Sequence, residues 1–306
     1  MHEGPEQNCE RSFTFSQHEG QITWGQSQAS PVSMIPILIW NARGLGAQVK
    51  TDFLATEIKK HKVGITTVLE HKQSSTKIKD FTNEIRMHAA MHAEPANHHI
   101  WIFWGKEISV DMVQAVDQFI TVRASSSDES FFCSFVYGSC DVKRRQVLWQ
   151  ELSMFDLADS PWLIGGDFNI ISDPEEKRDR GTFHRGASLD FSHFMAGKGL
   201  MDLGCCGDRF TWCNNQKGSR RCWSRLDRCL ANSHAIAKYS EAKVDHLVRG
   251  VFDHSPLLVS LNVRKERSDC FRFLEYWASI PGFHQIVRDI WNEPAQGCSW
   301  VAIHNK

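Results

Sequence analysis

The chain predicts an α/β protein, and three observations carry that expectation. Ile35, Ile37, Leu38, Ile39 and Trp40 form an apolar strand; Val49, Phe53, Leu54 and Ile58 follow at helical spacing, and Val63 to Leu69 form a second apolar strand. Pro161 to Ile171 is a continuous apolar run with glycines 165 and 166, of the kind that a strand covered on both faces requires. Ile100–Trp104, Ile108–Val113, Phe119–Ala124 and Phe131–Tyr137 are short, rich in β-branched and aromatic residues, and separated by charged or Ser-rich turns, which predicts an antiparallel meander.

At 306 residues and 42% hydrophobic content, the chain can bury a large core. Lys+Arg 35 against Asp+Glu 36 leaves a net charge of -1, so any signal for nucleic acid has to be local. The ten cysteines form no C-x-x-C pair, which argues against a zinc module, and they read as free thiols. No apolar run approaches bilayer-spanning length and the N-terminus lacks the apolar core of a secretory signal. The expectation is an intracellular protein, nuclear or cytoplasmic, with no membrane partner and no obligate protein partner.

In chain order, residues 1–33 have no period and read as a flexible extension. The first strand then stops at Asn41, and the second at Glu70. Ile78, Phe81 and Ile85 suit a helix, and after the four short strands Val147, Leu148, Leu152 and Phe155 suit another. The run from Pro161 ends in Asp167 and Asn169, two apart on an extended chain and so on one side; paired glycines before them would let the backbone approach a ligand. An ordinary polar turn reads equally well from that stretch alone. Residues 172–181 are a charged loop, Leu189 to Met195 suit a helix, and shorter segments lead to a last strand, Leu257–Val263. Residues 264–306 suggest amphipathic helices without a partner within the chain. His88 and His92 have the spacing of helical metal ligands but lack an adjacent Glu.

The polar residues at strand ends are Asn41, Glu70, Tyr137, Asp167, Asn169, Asp227, Asp253 and His254. Each alone has a structural explanation; for Asp227 it is a salt bridge with Arg225 or Arg228. Their motifs are WNARG at 40–44, LEHK at 69–72, VYG at 136–138, GGDFN at 165–169, FTWCN at 210–214, SRLDR at 224–228 and DHSPL at 253–257. In this order and spacing the chain resembles the endonuclease/exonuclease/phosphatase superfamily, with AP endonucleases and deoxyribonuclease I. Its texture is most similar to the endonuclease domain of plant LINE-type non-LTR retrotransposons.

The resemblance covers residues 34–263 and implies a four-layer α/β sandwich, two facing mixed sheets flanked by helices. Residues 264–306 then resemble a linker towards a reverse transcriptase. The resemblance implies a metal-dependent phosphodiesterase that nicks DNA, with Mg2+ or Mn2+ held by Glu70 and Asp253, and Asn41 close by. Asp167, positioned by Asn169, would accept the proton of the attacking water; His254, oriented by Asp227, would meet the scissile phosphate, and Tyr137 would donate to it.

Lys217 to Arg228 carries five cations against Asp227, and the expected nucleic-acid contacts are Trp212, Arg221 and Arg225. Two positions depart from the family pattern: Phe252 stands where Ser is common, adding bulk beside His254, and His71 where Thr is frequent. The alternatives are a phosphatase or RNA exonuclease of the same fold, or a catalytically impaired nucleic-acid-binding relic.

Overall fold

The computed structural model describes residues 35–155, 157, 159–178 and 183–262, the short pieces 13–14 and 25–26, and residues 285 and 288. The chain divides into a unit of residues 1–263 and a second of 264–306. The expected extension (1–33) and helical tail (264–306) therefore lie almost wholly outside the described residues. Two-residue strands β1 (Phe13–Thr14) and β2 (Gly25–Gln26) pair antiparallel.

β3 (Ile37–Asn41), α1 (Gln48–His61) and β4 (Ile65–Leu69) open the architecture as strand, helix and parallel strand. In α1, Thr51, Leu54 and Ile58 are buried at helical spacing, and the helix ends where Lys62 turns left-handed (φ 50°). α2 (Ile78–Glu84) buries Ile78 and Phe81, and β5 (Ala89–Ala93) pairs with β6 (Asn97–Trp104). His92 therefore lies on a strand, which removes the helical spacing of His88 and His92.

The expected four-strand meander is corrected here. β6 stays with β4, while β7 (Ser109–Val116), β8 (Phe119–Ser125) and β9 (Ser130–Tyr137) build the other sheet. The crossing is made at Gly105–Ile108, where Gly105 N donates to Gly64 O at 2.9 Å. A Cβ on Gly64 would lie 2.6 Å from Ile108 Cδ1 and 2.9 Å from Ile35 Cγ2, so the side chains at this crossing pack closely on the glycine, a tertiary contact that strand periodicity does not encode.

After α3 (Val142–Ser153), capped by Asp141, come β10 (Trp162–Asp167), β11 (Lys177–Arg178), α4 (Arg185–Gly197), β12 (Met201–Asp202), β13 (Cys206–Gly207), β14 (Trp212–Cys213), β15 (Trp223–Ser224), β16 (Asp227–Ala231), α5 (Ser233–Lys238), β17 (Lys243–His246) and β18 (Leu257–Ser260). One sheet has the order β13-β17-β18-β3-β4-β6-β5 and the other β12-β16-β10-β9-β8-β7, with a small third sheet β11-β15-β14. Ile37, Ile39, Ile65 and Ile102 from the first sheet share a core cluster with Ile120, Val122, Phe135 and Leu163 from the second. The outer face of the first sheet buries Trp40, Val68 and Phe103 with Leu54 and Phe81 of the helices; that of the second buries Ile164 and Leu230 with Leu148 and Phe191. This is the expected four-layer α/β sandwich.

The topology explains why the polar positions meet. β3 runs parallel to β4, and β9 parallel to β10, so Asn41, Glu70, Tyr137 and Asp167 come at carboxyl ends. β16 and β18 run antiparallel to β10 and β3, so their leading residues, Asp227 and the Asp253–His254 pair, reach the same end. Gly165 and Gly166 serve packing rather than ligand approach: added Cβ atoms would lie 2.4 Å from Ile39 Cδ1 and 2.0 Å from Val136 O. Among the described residues, no helix is long and apolar enough to cross a membrane, and the seven described cysteines are free.

Candidate active site

Asp167 is 1% exposed. Its Oδ1 accepts from Asn169 N at 2.9 Å and its Oδ2 from Asn41 Nδ2 at 2.9 Å. Asn169 holds a left-handed backbone (φ 48°) and donates through Nδ2 to Gly138 O at 2.7 Å, which fixes the turn after β10. Burial, together with the nearby Asp227, pushes the Asp167 carboxyl up to about 6, where a carboxylate is a competent base near neutral pH.

His254, 4% exposed, meets Asp227 Oδ2 through Nδ1 at 2.9 Å, and its Nε2 stands 3.8 Å from Asp167 Oδ2. Burial works against its charge, but Asp227, Asp167 and Asp253 outweigh it and raise the imidazole to about 9. Nδ1 is committed to Asp227, whereas Nε2 lies beyond hydrogen-bond reach of Asp167 and keeps its proton available. Trp40 Nε1 donates to His254 O at 3.2 Å, and the Trp212 and His254 backbones pair across an antiparallel bridge. Asp227 is not engaged by Arg225 or Arg228; the open choice at that residue is decided in favour of the histidine.

On the facing sheet, Asn41 Nδ2 also lies 3.2 Å from Glu70 Oε1, so one amide joins the two carboxylates. Burial would raise Glu70, but Lys72, Asn41 and Tyr137 hydrogen-bond it and hold its carboxyl below the ordinary range. Tyr137 is pushed up by burial and by Glu70, so its phenol stays neutral and donates. Lys72 Nζ contacts Glu70 at 3.0 Å and Arg43 Nη1 contacts Asp253 at 2.7 Å; both cations are exposed, at 58% and 53%. Arg43 (φ 46°) is displayed by a loop whose carbonyls at Ala42 and Gly44 both accept from Lys50 Nζ.

The structure thus brings Asn41, Glu70, Tyr137, Asp167, Asn169, Asp227, Asp253 and His254 to one end of the sandwich. Asp167, Asp227 and His254 also present possible ligand atoms within 4.8 Å of one another. Phe252 points away from this group, packing on Trp40 and Phe53 at 5.2 and 5.1 Å between ring centroids, so the family-atypical bulk is absorbed by the outer cluster. His71 stacks on Trp101 at 4.0 Å and burial lowers it to about 4, which makes it a neutral core residue.

The cationic stretch is corrected in one respect. Arg225 is no phosphate contact: its side chain is 11% exposed, paired with Glu176 Oε1 at 3.0 Å and Asp202 Oδ1 at 2.7 Å. Arg228, 1% exposed, joins the same network, and Glu176, expected in a charged surface loop, is its buried counter-ion. Arg221 is exposed and sits over the Trp223 ring at 5.9 Å, with Arg249 over it at 4.8 Å; Trp212 is partly exposed. Arg249, Arg43 and Lys72 were missed as site residues, although Arg43 and Lys72 stand within the quoted motifs, Lys72 two residues after the Glu70 that it meets.

The model of the Endonuclease/Exonuclease/phosphatase family matches residues 38–269, most of the chain. The chain belongs to this family. Among solved structures, the endonuclease domain of TRAS1, a telomere-specific non-LTR retrotransposon, is 15% identical, with TM-score 0.53, over 76% of this chain and 100% of that one. The 3' phosphatase NExo from Neisseria, bound to a product DNA hairpin, is 16% identical, with TM-score 0.58, over 74% and 99%. TDP2 from D. rerio, complexed with a single-strand DNA product, is 14% identical, with TM-score 0.53, over 76% and 100%. A comparison with curated proteins returned no match. As a member of the endonuclease/exonuclease/phosphatase family, the chain has a phosphodiesterase fold, and enzymes of this family generally use divalent metals.

Proposed function

We propose that the chain is a divalent-metal-dependent DNA-nicking endonuclease of retrotransposon origin, with residues 34–263 as its catalytic domain. The observation that carries this reading is the pairing of two buried groups of opposite task. Asp167, raised by burial but held by Asn41 and Asn169, accepts a proton from water; His254, charged by Asp227, offers Nε2–H to a phosphate oxygen. Tyr137, a neutral phenol beside Glu70, donates a further hydrogen bond. The exposed Arg221 and the partly exposed Trp223 and Trp212 supply cationic and stacking contacts for a strand.

Glu70 and Asp253, with Asn41, fit a hard cation: both are oxygen donors, and each already draws an exposed cationic side chain that can swing away. The Asp167–Asp227–His254 group fits less well, because Nδ1 of His254 is spent on Asp227. When bound, Mg2+ or Mn2+ would polarise the phosphate and neutralise developing charge. Similarity to TRAS1 supports the retrotransposon origin, and DNA in the NExo and TDP2 structures supports a nucleic-acid substrate.

The test is plasmid nicking in magnesium by the chain and by Asp167→Asn and His254→Ala. Wild type should convert supercoiled plasmid to relaxed circles, and Asp167→Asn should lose on the order of 100-fold or more in rate while still binding DNA. Equal nicking by all three proteins, or none by wild type in magnesium and manganese, would sink the proposal. Hydrolysis of a phosphomonoester or of poly(A) without nicking would point to the phosphatase or RNA exonuclease reading; salt-sensitive binding alone would point to the relic.

A further inference from the structure

Arg145, in the first half of α3, is 5% exposed. Its Nη1 donates to Ser139 O at 2.6 Å and Cys140 O at 3.0 Å, two neutral acceptors, and its Nε has no hydrogen-bond partner. No acid among the described residues forms an ion pair with it. Asp141 and Asp167 are near enough to favour its charge, but neither meets it in an ion pair, and pinning a loop through Nη1 does not account for the orphaned Nε.

Arg145 lines a cavity of about 140 Å3 together with Asn169, Lys177, His184, Ala187 and Ser224, and no carboxylate lines it. α4 begins at this wall: His184 is its N-cap but makes no side-chain cap hydrogen bond, and Ala187 comes from its first turn. The cavity therefore combines a buried cation whose Nε has no partner with the positive end of a thirteen-residue helix. Asn169 belongs to both sites, since its backbone N holds Asp167 Oδ1 and the residue also lines the cavity.

We propose that this cavity is a phosphate-group site, and that in the substrate it takes the backbone phosphate beside the scissile one. The second half of this rests on the nuclease reading above; the first half does not. A strand whose scissile phosphate faced His254 and Asp167 would carry its neighbouring phosphate past Asn169 towards Arg145, whose Nε would then find its acceptor.

Thermal unfolding in EDTA at constant ionic strength, with inorganic phosphate replacing chloride, tests the site without catalysis. Phosphate at tenfold its Kd should raise the wild-type Tm by roughly 3–6 °C. Arg145→Met should abolish the shift and His254→Ala should keep it; the reverse pattern, or no shift in wild type, overturns the proposal. Should Arg145→Met not fold, His184→Asp places a carboxylate at the same cavity from an exposed position, and this variant is expected to fold and to be indifferent to phosphate. A wild-type shift in His184→Asp overturns the proposal as well.

For the substrate, DNA binding is measured in the Asp167→Asn background, where cleavage does not interfere. Adding Arg145→Met should make the slope of log affinity against log salt shallower by about 1. An unchanged slope beside a lost phosphate shift would assign the cavity to free phosphate and overturn the backbone assignment. Absence of nicking by wild type would overturn the nuclease reading and leave the phosphate result standing.

Discussion

Asp227→Asn separates electrostatics from geometry at the candidate site. Asp227 is the carboxylate that most strongly charges His254, lifting it to about 9 from an ordinary 6.5, a difference worth about 3 kcal/mol. With that charge gone, only Asp167 and Asp253 oppose burial, and the imidazole falls from about 9 towards its ordinary value. A full return to that ordinary value would take the charged fraction at pH 8 from about nine-tenths to about 3%, which sets an upper bound of about 30-fold on the loss in nicking from protonation. Wild type should show a bell-shaped profile, rising through about 6 as Asp167 ionises and falling through about 9 as His254 loses its proton. In Asp227→Asn the alkaline limb should move down by up to about 2.5 pH units, and the acid limb should also move down because Asp167 loses a repelling neighbour. Stability follows the same sign: a raised histidine stabilises the fold fully below its unfolded pKa of 6.5 and loses that contribution as pH rises through about 9. Wild type should therefore lose about 3 kcal/mol between these limits by urea unfolding, and the variant much less. An alkaline limb still near pH 9 in Asp227→Asn, with His254 still charged at pH 8 by NMR titration, would refute the reasoning.

Arg43→Ala should tighten Mg2+ or Mn2+ binding a few-fold by calorimetry, because an exposed ion pair that competes for Asp253 is worth up to about 1 kcal/mol; weaker metal binding would show that Arg43 supports the site instead. Gly166→Ala forces a Cβ against Val136 O at a φ of 149° and should cost about 3 kcal/mol or more in chemical unfolding, with losses at the site that follow the fold. Arg228→Met leaves Glu176 and Asp202 without their buried partner and should cost about 3–5 kcal/mol in stability at neutral pH. A neutral result would mean that Arg225 alone satisfies both acids.

By itself the sequence determined the class of the fold and the strand ends at which polar residues stand. Apolar runs such as Ile35–Trp40 and Pro161–Ile171 report burial directly, and the order of strand and helix around Val49–Ile58 leaves little freedom of connection. The seven spaced motifs also contain Asn41, Glu70, Tyr137, Asp167, Asn169, Asp227, Asp253 and His254, which the structure gathers at one end of the sandwich. What only the tertiary structure decided is which partner each group meets. Periodicity cannot show that the chain crosses between sheets at Gly105, because the crossing depends on Ile108 fitting against Gly64. Composition counts Arg225 and Arg228 as free charge, but distant Glu176 and Asp202 neutralise them. Arg145 is the opposite case, a helical cation buried without a direct ion pair and with its Nε unpartnered at the wall of a cavity. Charge and hydrogen-bond pairing are set by three-dimensional distance, and local patterning carries no record of it.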